Sequence, residues 1–252
     1  MAKKIIHLPS IGAPCVGKGA TKKALGEFLG NRFHSVSLGH TIRERFSTDP
    51  HFRNKYEKSV NEGDLLPDPV TIPMTEKAYA HGLKSGAEYF YWDGCFRTPA
   101  QVHTVTSKEI LTPENTICLV FDASAKTILE RHRHRVENKT DGHRADEMSL
   151  LRRIDIYKEN MQSILHAFGQ VGIRTHIINA NLELDFLTRK LVEYIEDVDK
   201  NKKRGDHYYP SFPPDLQLST RRRLELVNAR HEFKMNQLEA LGEAVWSNYA
   251  TA

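Results

Sequence analysis

Gly12-Ala13-Pro14-Cys15-Val16-Gly17-Lys18-Gly19-Ala20-Thr21 follows closely on the short apolar run Ile5-Ile6-His7-Leu8. Its order of residue types fits a strand, a glycine-bearing loop, and a lysine that opens a helix. Such a loop turns successive backbone N–H groups toward one point. The helix N-terminus adds partial positive charge there, and the lysine adds a full one. A polyphosphate is the ligand this arrangement suits. The spacing Gly-x4-Gly-Lys is complete, although Gly19 stands where a Ser or Thr usually follows the lysine. A helix-capping turn that merely contains Gly-Lys is the plainer alternative, and the rest of the chain has to decide.

Working outward, apolar runs at Ile5–Leu8, Phe33–Leu38, Glu88–Trp92, Thr116–Phe121 and Arg174–Asn179 alternate with longer segments of helical period. This alternation predicts an α/β fold with a parallel sheet of five strands between helices. Ligands of such sheets bind beyond the carboxyl ends of the strands. The Gly12–Gly19 loop, Asp93-Gly94 and Asp122 all follow predicted strands, so they are expected on one face.

Bulk properties narrow the functional classes. The chain has 252 residues, 39% hydrophobic and 27% charged, enough for a sizeable core with an appendage. No apolar stretch approaches a membrane span, and the start lacks a signal-peptide core, so a cytoplasmic protein is expected. Cys15, Cys95 and Cys118 are widely spaced, which indicates neither a zinc site nor a disulfide framework. Cys118, in an apolar run, reads as core. A net charge of +4 suits anionic substrates without demanding nucleic acid.

From about residue 199 the composition changes. Asp199-Lys200-Asn201-Lys202-Lys203-Arg204-Gly205-Asp206 and then Tyr208-Tyr209-Pro210-Ser211-Phe212-Pro213-Pro214 read as an extended linker over about 199–217. A final helix is predicted over 219–248, with one apolar stripe of Leu224, Val227, Met235, Leu238, Leu241, Val245 and Tyr249. The stripe suits docking onto the domain or onto a second copy. A monomer is the expected state, with this helix as the route to a dimer. The basic groups Lys202-Lys203-Arg204 and Arg221-Arg222-Arg223 read as a solvated linker and helix start rather than a nucleic-acid site.

Arg43, Arg97, Arg131, Arg135, Arg144 and Arg153 each stand in an ordered local motif behind the glycine loop. Moving a phosphoryl group between anions needs cations that neutralise repulsion, and the planar guanidinium bonds two phosphate oxygens at once. The motifs themselves resemble the adenylate kinase family of the nucleoside monophosphate kinase superfamily. Gly12–Gly19 resembles its loop Gly-x-Pro-Gly-x-Gly-Lys-Gly. Ser37-Leu38-Gly39-His40-Thr41-Ile42-Arg43 is similar to Ser-Thr-Gly-Asp-x-x-Arg. Gly63-Asp64-Leu65-Leu66-Pro67-Asp68-Pro69-Val70 is similar to Gly-x-(Leu/Ile)-Val-Pro-Asp-x-Val. Asp93-Gly94-Cys95-Phe96-Arg97-Thr98-Pro99-Ala100-Gln101 resembles Asp-Gly-Phe-Pro-Arg-Thr-x-x-Gln. Asp122 with Arg131 and Arg135, and Arg144-Ala145-Asp146-Glu147 with Arg152-Arg153-Ile154, resemble the segments before and after that family's lid.

The resemblance covers about residues 4–197 and implies a three-layer P-loop kinase fold over 1–198. Within it would lie a monophosphate-binding part at about 37–80 and a short lid at about 132–145, followed by the extension 199–252. It implies reversible, Mg²⁺-dependent phosphoryl transfer, ATP plus AMP giving two ADP. Gly12, Ala13, Pro14, Cys15, Val16, Gly17, Lys18, Gly19, Ala20 and Arg131 would hold ATP. Leu38, Arg43, Gly63, Asp64, Leu65, Leu66, Gly94, Arg97 and Gln101 would hold AMP, with Gln101 on the base. Lys18, Arg97, Arg135, Arg144 and Arg153 would be catalytic, Arg152 being the alternate to Arg153 because two residues are missing from the family spacing before it. Asp146 would orient the lid arginines, and Asp93 would hold Mg²⁺ through water. The lid is too short for zinc ligands.

Four departures bear on this. Cys15 replaces a loop glycine, and beside Lys18 and a helix N-terminus it stands either as a tolerated change or as an oxidant-sensitive thiol. Leu38 replaces a threonine and cannot hydrogen-bond a base, and His40 replaces an aspartate. Both keep a pyrimidine or guanine acceptor open. Cys95-Phe96 replaces Phe-Pro, so the turn to Arg97 loses a rigid ring. A nucleotide-binding regulatory protein of low turnover is the rival from another class.

Overall fold

The computed structural model describes residues 5–138 and 147–203. Within them, five strands form one wholly parallel sheet. They are β1 (Ile6–Gly12), β2 (Phe33–Ser37), β3 (Tyr89–Asp93), β4 (Cys118–Asp122) and β5 (Thr175–Asn179), in the spatial order β2-β3-β1-β4-β5. Eight α-helices connect and cover them: α1 (Lys18–Leu29), α2 (Leu38–Thr48), α3 (Pro50–Asn61), α4 (Asp68–Leu83), α5 (Pro99–Ser107), α6 (Ala125–Glu137), α7 (Glu147–Gln170) and α8 (Leu184–Lys203).

All five predicted strands are present, with shifted ends. β1 runs on to Gly12, past Pro9 and Ser10, which interrupt the apolar pattern in the sequence. Proline has no N–H for a ladder, and inside a central strand this normally costs a bond. Here the β1–β4 pairing is interrupted between the His7–Thr116 bridge and the Ser10–Leu119 pair, and Pro9 falls in that gap. Leu38, predicted at the end of β2, instead opens α2.

Period-2 alternation sorts the core onto both faces of the sheet. Tyr89, Tyr91, Leu119 and Phe121 pack with Leu25, Ile128, Leu191 and Ile195 on one face. Phe90, Trp92, Cys118 and Val120 pack with Ile42, Met74, Val102 and Phe168 on the other. Cys118 is core, as read from the sequence. The four aromatics of β3 are 1% exposed or less. Burial of each contributes on the order of 2–3 kcal/mol, provided its polar atoms find partners. The Trp92 indole N–H donates to His7 Nδ1 at 3.2 Å, so a histidine inside β1 serves as an internal acceptor.

The helix α8 continues through Lys203, beyond residue 199 where a linker was expected to begin. The run Asp199–Lys203 contains no proline or glycine, and its charged residues are adequate helix formers. The predicted helix over 219–248, Arg204, and the tract Arg221–Arg223 lie outside the described residues. No helix among the described residues is long and apolar enough to cross a membrane.

Gly82, inside α4, shows how tightly that helix meets the sheet. A Cβ there would collide with the His34 ring and come within 2.8 Å of Phe90 Cε1. The His34 ring can swing, but Phe90 is fully buried. Gly82→Ala should therefore lose about 1–2 kcal/mol of unfolding free energy, overpacking outweighing a gain of about 1 kcal/mol in helix propensity. Chemical denaturation checks this, and a variant more stable than the parent would contradict the packing argument.

Candidate active site

The carboxyl ends of the strands carry the polar residues, as the topology predicts. Ser10, Asp93 and Ser37 stand in register across β1, β3 and β2. Just beyond Ser10, the glycine loop leaves β1. A Cβ on Gly12 would lie 2.7 Å from the Phe121 carbonyl, so only glycine fits there. Gly17 has φ +116, and a Cβ there would lie 3.2 Å from Arg131 Nη1. Lys18 opens α1 and folds back over its own loop, donating to the carbonyls of Gly12 at 2.6 Å and Ala13 at 2.7 Å. Burial, reinforced by the nearby Arg97 charge, lowers its pKa from 10.5 to about 7, against the opposing pull of Asp93.

Cys15 sits at φ +59, the left-handed region that glycine tolerates and other residues rarely adopt. The substitution thus stores backbone strain of about 1–2 kcal/mol inside the loop. The side chain is buried, and Arg135 Nη1 approaches its sulfur at 3.6 Å. Another departure, Cys95-Phe96, is held by packing where a proline ring would have stiffened the turn. Cys95 Sγ donates to the Val36 carbonyl at 3.2 Å, and burial pushes its thiol pKa up to about 12. Phe96 packs between Trp92 and Phe168, with ring centroids 5.7 and 5.3 Å away.

Asp93 is the anion among these cations. Its Oδ2 accepts from Lys22 Nζ at 3.0 Å and from Ser37 Oγ at 3.3 Å. Burial works against its charge, but Lys22, Lys18 and Arg97 together hold its carboxyl below the ordinary value. Lys22 was not among the residues singled out from the sequence. Its spacing of four from Lys18 on one helix face was the available signal. Arg97 follows Asp93 through Gly94, whose φ is +69. Burial and then the like charge of Arg153 lower the Arg97 pKa, although Asp93 opposes them.

A cavity of about 70 Å³ brings together most of the residues expected at an acceptor site: Leu38, Gly63, Asp64, Leu65, Leu66, Gly94, Arg97 and Gln101. Ile42, Thr71 and Arg153 complete much of its wall. Arg43 is not part of it; the side chain is exposed, beside Gly39 on α2. His40 is also exposed. The two candidate arginines of α7 separate clearly. Arg153 lines the cavity, whereas Arg152 is exposed and pairs with Asp64 at 3.0 Å. A Cβ on Gly63 would lie 3.1 Å from Arg153 Cγ, so the glycine lets α7 approach.

Gln101 differs from its expected state. Its amide nitrogen donates to Asp68 Oδ1 at 2.9 Å and Thr71 Oγ1 at 3.1 Å, and its oxygen accepts from Arg97 N at 2.6 Å. Both amide hydrogens are therefore engaged within the protein, and a base could take one only by displacing Asp68 or Thr71. Asp68 also accepts from Thr98 Oγ1 at 2.9 Å, and Thr98 caps α5. The Asp68–Thr98–Gln101 network fixes the start of α4 against the start of α5. Asp68 lies 30 residues from Thr98 and 33 from Gln101, so although Asp68 and Thr98 stand in the quoted motifs, their pairing, and the part of Thr71, were not foreseen.

On the other side of the loop, a cleft of about 490 Å³ is lined by Cys15, Val16, Gly17, Ala20, Arg131 and Arg135. Arg131 is anchored there, donating to the carbonyls of Val16 at 2.6 Å and Ala180 at 2.8 Å. Leu182, Leu184 and Leu187 form an apolar wall beyond β5 that the motifs did not indicate. A narrow cavity shares Gly12, Lys18, Gly94 and Arg97 and lies under Tyr157 and Asn160 of α7. Arg144 and Asp146, both expected in the lid, lie outside the described residues, as do residues 139–146 generally. The first part of that expected lid, from 132, belongs to α6. Among the described residues there is no group of three or more His, Cys, Asp or Glu able to hold a metal. A lone hard carboxylate at the end of β3 still fits Mg²⁺ shared with phosphate oxygens and water.

A parallel sheet whose first strand feeds a glycine loop, a lysine and a helix is the frame of a P-loop phosphotransferase. No protein-family model matches the chain. Individual relatives do. An adenylate kinase of Pseudarthrobacter chlorophenolicus is 28% identical over 189 residues, spanning 74% of this chain and 94% of its own. An adenylate kinase of Kocuria rhizophila is 25% identical, spanning 74% and 96% respectively. A UMP-CMP kinase of Danio rerio is 25% identical, spanning 69% and 89%. The chain is thus related to the adenylate kinases and UMP-CMP kinases, the nucleoside monophosphate kinase family.

The strain at position 15 can be read directly. Cys15→Gly should keep stability within about 1 kcal/mol of the parent or raise it, because glycine adopts φ +59 freely. Cys15→Val should lose about 2–3 kcal/mol, since a β-branched residue resists this backbone region. Equal stability of the two variants in thermal unfolding would refute the strain.

Proposed function

We propose that the protein is a nucleoside monophosphate kinase transferring the terminal phosphoryl group of ATP to a monophosphate, most simply AMP, in a reversible reaction giving two diphosphates. The observation that carries this reading is a pair of clefts, one against the glycine loop that leads into Lys18 and one that includes Arg97. One is lined by the glycine loop and Arg131, the other by Leu38, Gly63–Leu66, Arg97 and Arg153. A narrow cavity lined by Gly12, Lys18, Gly94 and Arg97 adjoins the second of them, with which it shares Gly94 and Arg97.

In this reading the cleft of about 490 Å³ takes the donor nucleotide, with Arg131 against its base and the loop around its phosphates. Lys18 releases the Gly12 and Ala13 carbonyls and turns to the phosphates. Arg97 and Arg153 hold the acceptor phosphate in line with the donor, and Arg135 reaches the transferring group from the donor side. With no covalent enzyme intermediate, rate enhancement comes from positioning and from cations that track the moving charge. Arg144 and the lid segment would close the site against water, which otherwise competes as acceptor. Asp93 would hold Mg²⁺ through water, and the ion would supply charge neutralisation on the donor phosphates. A site of this kind is expected to act in the cytoplasm.

A pyrimidine monophosphate is the second reading for the acceptor. Leu38 offers no hydrogen bond, and the Gln101 amide is already committed to Asp68 and Thr71. One relative is itself named a UMP-CMP kinase.

ADP production measured across AMP, UMP, CMP and GMP decides between these acceptors. Turnover with none of them, despite ATP binding, would favour a nucleotide-binding regulatory protein. Lys18→Met and Arg97→Met should each lower kcat by about 10²–10³-fold, as expected for loss of a group stabilising transition-state charge. Parental rates in either variant would remove that residue from the mechanism.

Lys18 also predicts a pH signature. Its pKa in the free protein is about 7 against an ordinary 10.5. Bound phosphates favour the ammonium and raise that value again. Binding at pH 8 should therefore take up a proton, and ATP affinity should fall as pH rises above about 7. Calorimetry in buffers of different ionisation enthalpy measures the uptake, which Lys18→Met should abolish. Equal uptake by parent and variant would assign the proton elsewhere.

A further inference from the structure

Lys22 lies one helical turn beyond Lys18 on α1, and the two ammonium groups divide the site between them. Lys18 is held by loop carbonyls. Lys22 is held by Asp93 at 3.0 Å, with the two side chains of that pair only 27% and 22% exposed. The same Asp93 oxygen accepts from Ser37 Oγ. The carboxylate best suited to a hydrated divalent ion thus carries an internal cation and a hydroxyl donor. An ammonium donates hydrogen bonds to a carboxylate as a metal-bound water does, so the two compete for the same lone pairs. The loop brings no compensating hydroxyl beside its lysine. Gly19 and Ala20 follow Lys18, and Thr21 is buried at 2% exposure.

We propose that Lys22 is a built-in counter-cation at Asp93 Oδ2 that competes with a divalent ion for this carboxylate, so that the protein binds metal-free donor nucleotide about as tightly as its magnesium complex. The inference rests on the reading of the Gly12–Gly19 loop as the donor phosphate cradle. Lys22 here is a positioning residue that acts through Asp93. Its positive charge supplies part of the neutralisation that a divalent ion would otherwise bring to the phosphates. A metal-free triphosphate carries more negative charge than its magnesium complex, so an extra fixed cation favours the metal-free form.

Isothermal titration calorimetry on the full chain separates the terms, using ATP with EDTA and ATP with excess Mg²⁺. For the parent, the two dissociation constants should lie within about threefold of each other. Lys22→Met should shift the ratio about tenfold or more toward the magnesium complex, because Asp93 is freed and a cation is lost. Lys22→Arg, which keeps the charge, should retain the parental ratio. The double variant Lys22→Met with Asp93→Asn should lose the magnesium preference gained by the single variant. A merely structural lysine would lower both affinities together and leave their ratio unmoved. A parent that prefers Mg-ATP tenfold or more, with the ratio unchanged in Lys22→Met, overturns the proposal. Absence of ATP binding by the parent in both media would instead overturn the donor-site reading on which the proposal rests.

Discussion

Asp93 is the countercharge on which the site depends. It ends β3, in register with Ser10 on β1 and with Ser37, the last residue of β2. Lys18, Lys22 and Arg97 all act on its carboxylate, and Arg153 adds further positive charge beside Arg97. Gathering these cations without an anion among them would leave strong like-charge repulsion in a partly desolvated cleft. With Asp93 present, that repulsion is partly offset. The lowered pKa of Lys18 records the same crowding, because burial and Arg97 outweigh what Asp93 returns.

Two substitutions in the loops that carry this cluster are accommodated in different ways. Cys15 stays in a glycine conformation and bears strain, with Arg135 against its sulfur. Cys95-Phe96 is absorbed into the core, where Trp92 and Phe168 hold the phenyl ring and Val36 accepts from the thiol. The first alters the loop that lines the cleft of Arg131 and Arg135. The second reproduces by packing what a proline achieves by restricting φ. The kinase frame thus tolerates unusual residues where a neighbouring element can fix the backbone in their place.

The architecture was largely legible because each strand and helix announces itself locally. Five apolar runs alternate with helical periods, and the Gly12–Gly19 spacing marks the turn between the first strand and helix. What misled the reading was also local. Pro9 and Ser10 hid the second half of β1, and the charged run after residue 198 resembled a linker while continuing α8. In the site, Leu38, Gly63–Leu66, Gly94, Arg97 and Gln101 converge as their motifs suggested. Arg43 is exposed beside Gly39 and does not line that cavity, and of the two arginines of α7 Arg153 lines it while Arg152 pairs with Asp64.

By itself, then, the sequence determined the element types, the glycine loop and the inventory of cations, since these depend on periodicity and spacing over a few residues. The tertiary structure alone decided which charges meet. Lys22 and Asp93 are 71 residues apart, and Gln101 and Asp68 are 33 apart. Each pair forms only once the sheet order places β3 between β2 and β1 and the flanking helices dock. Electrostatic pairing depends on distance in space and on the loss of water around it, and neither quantity is written in the order of residues along a chain.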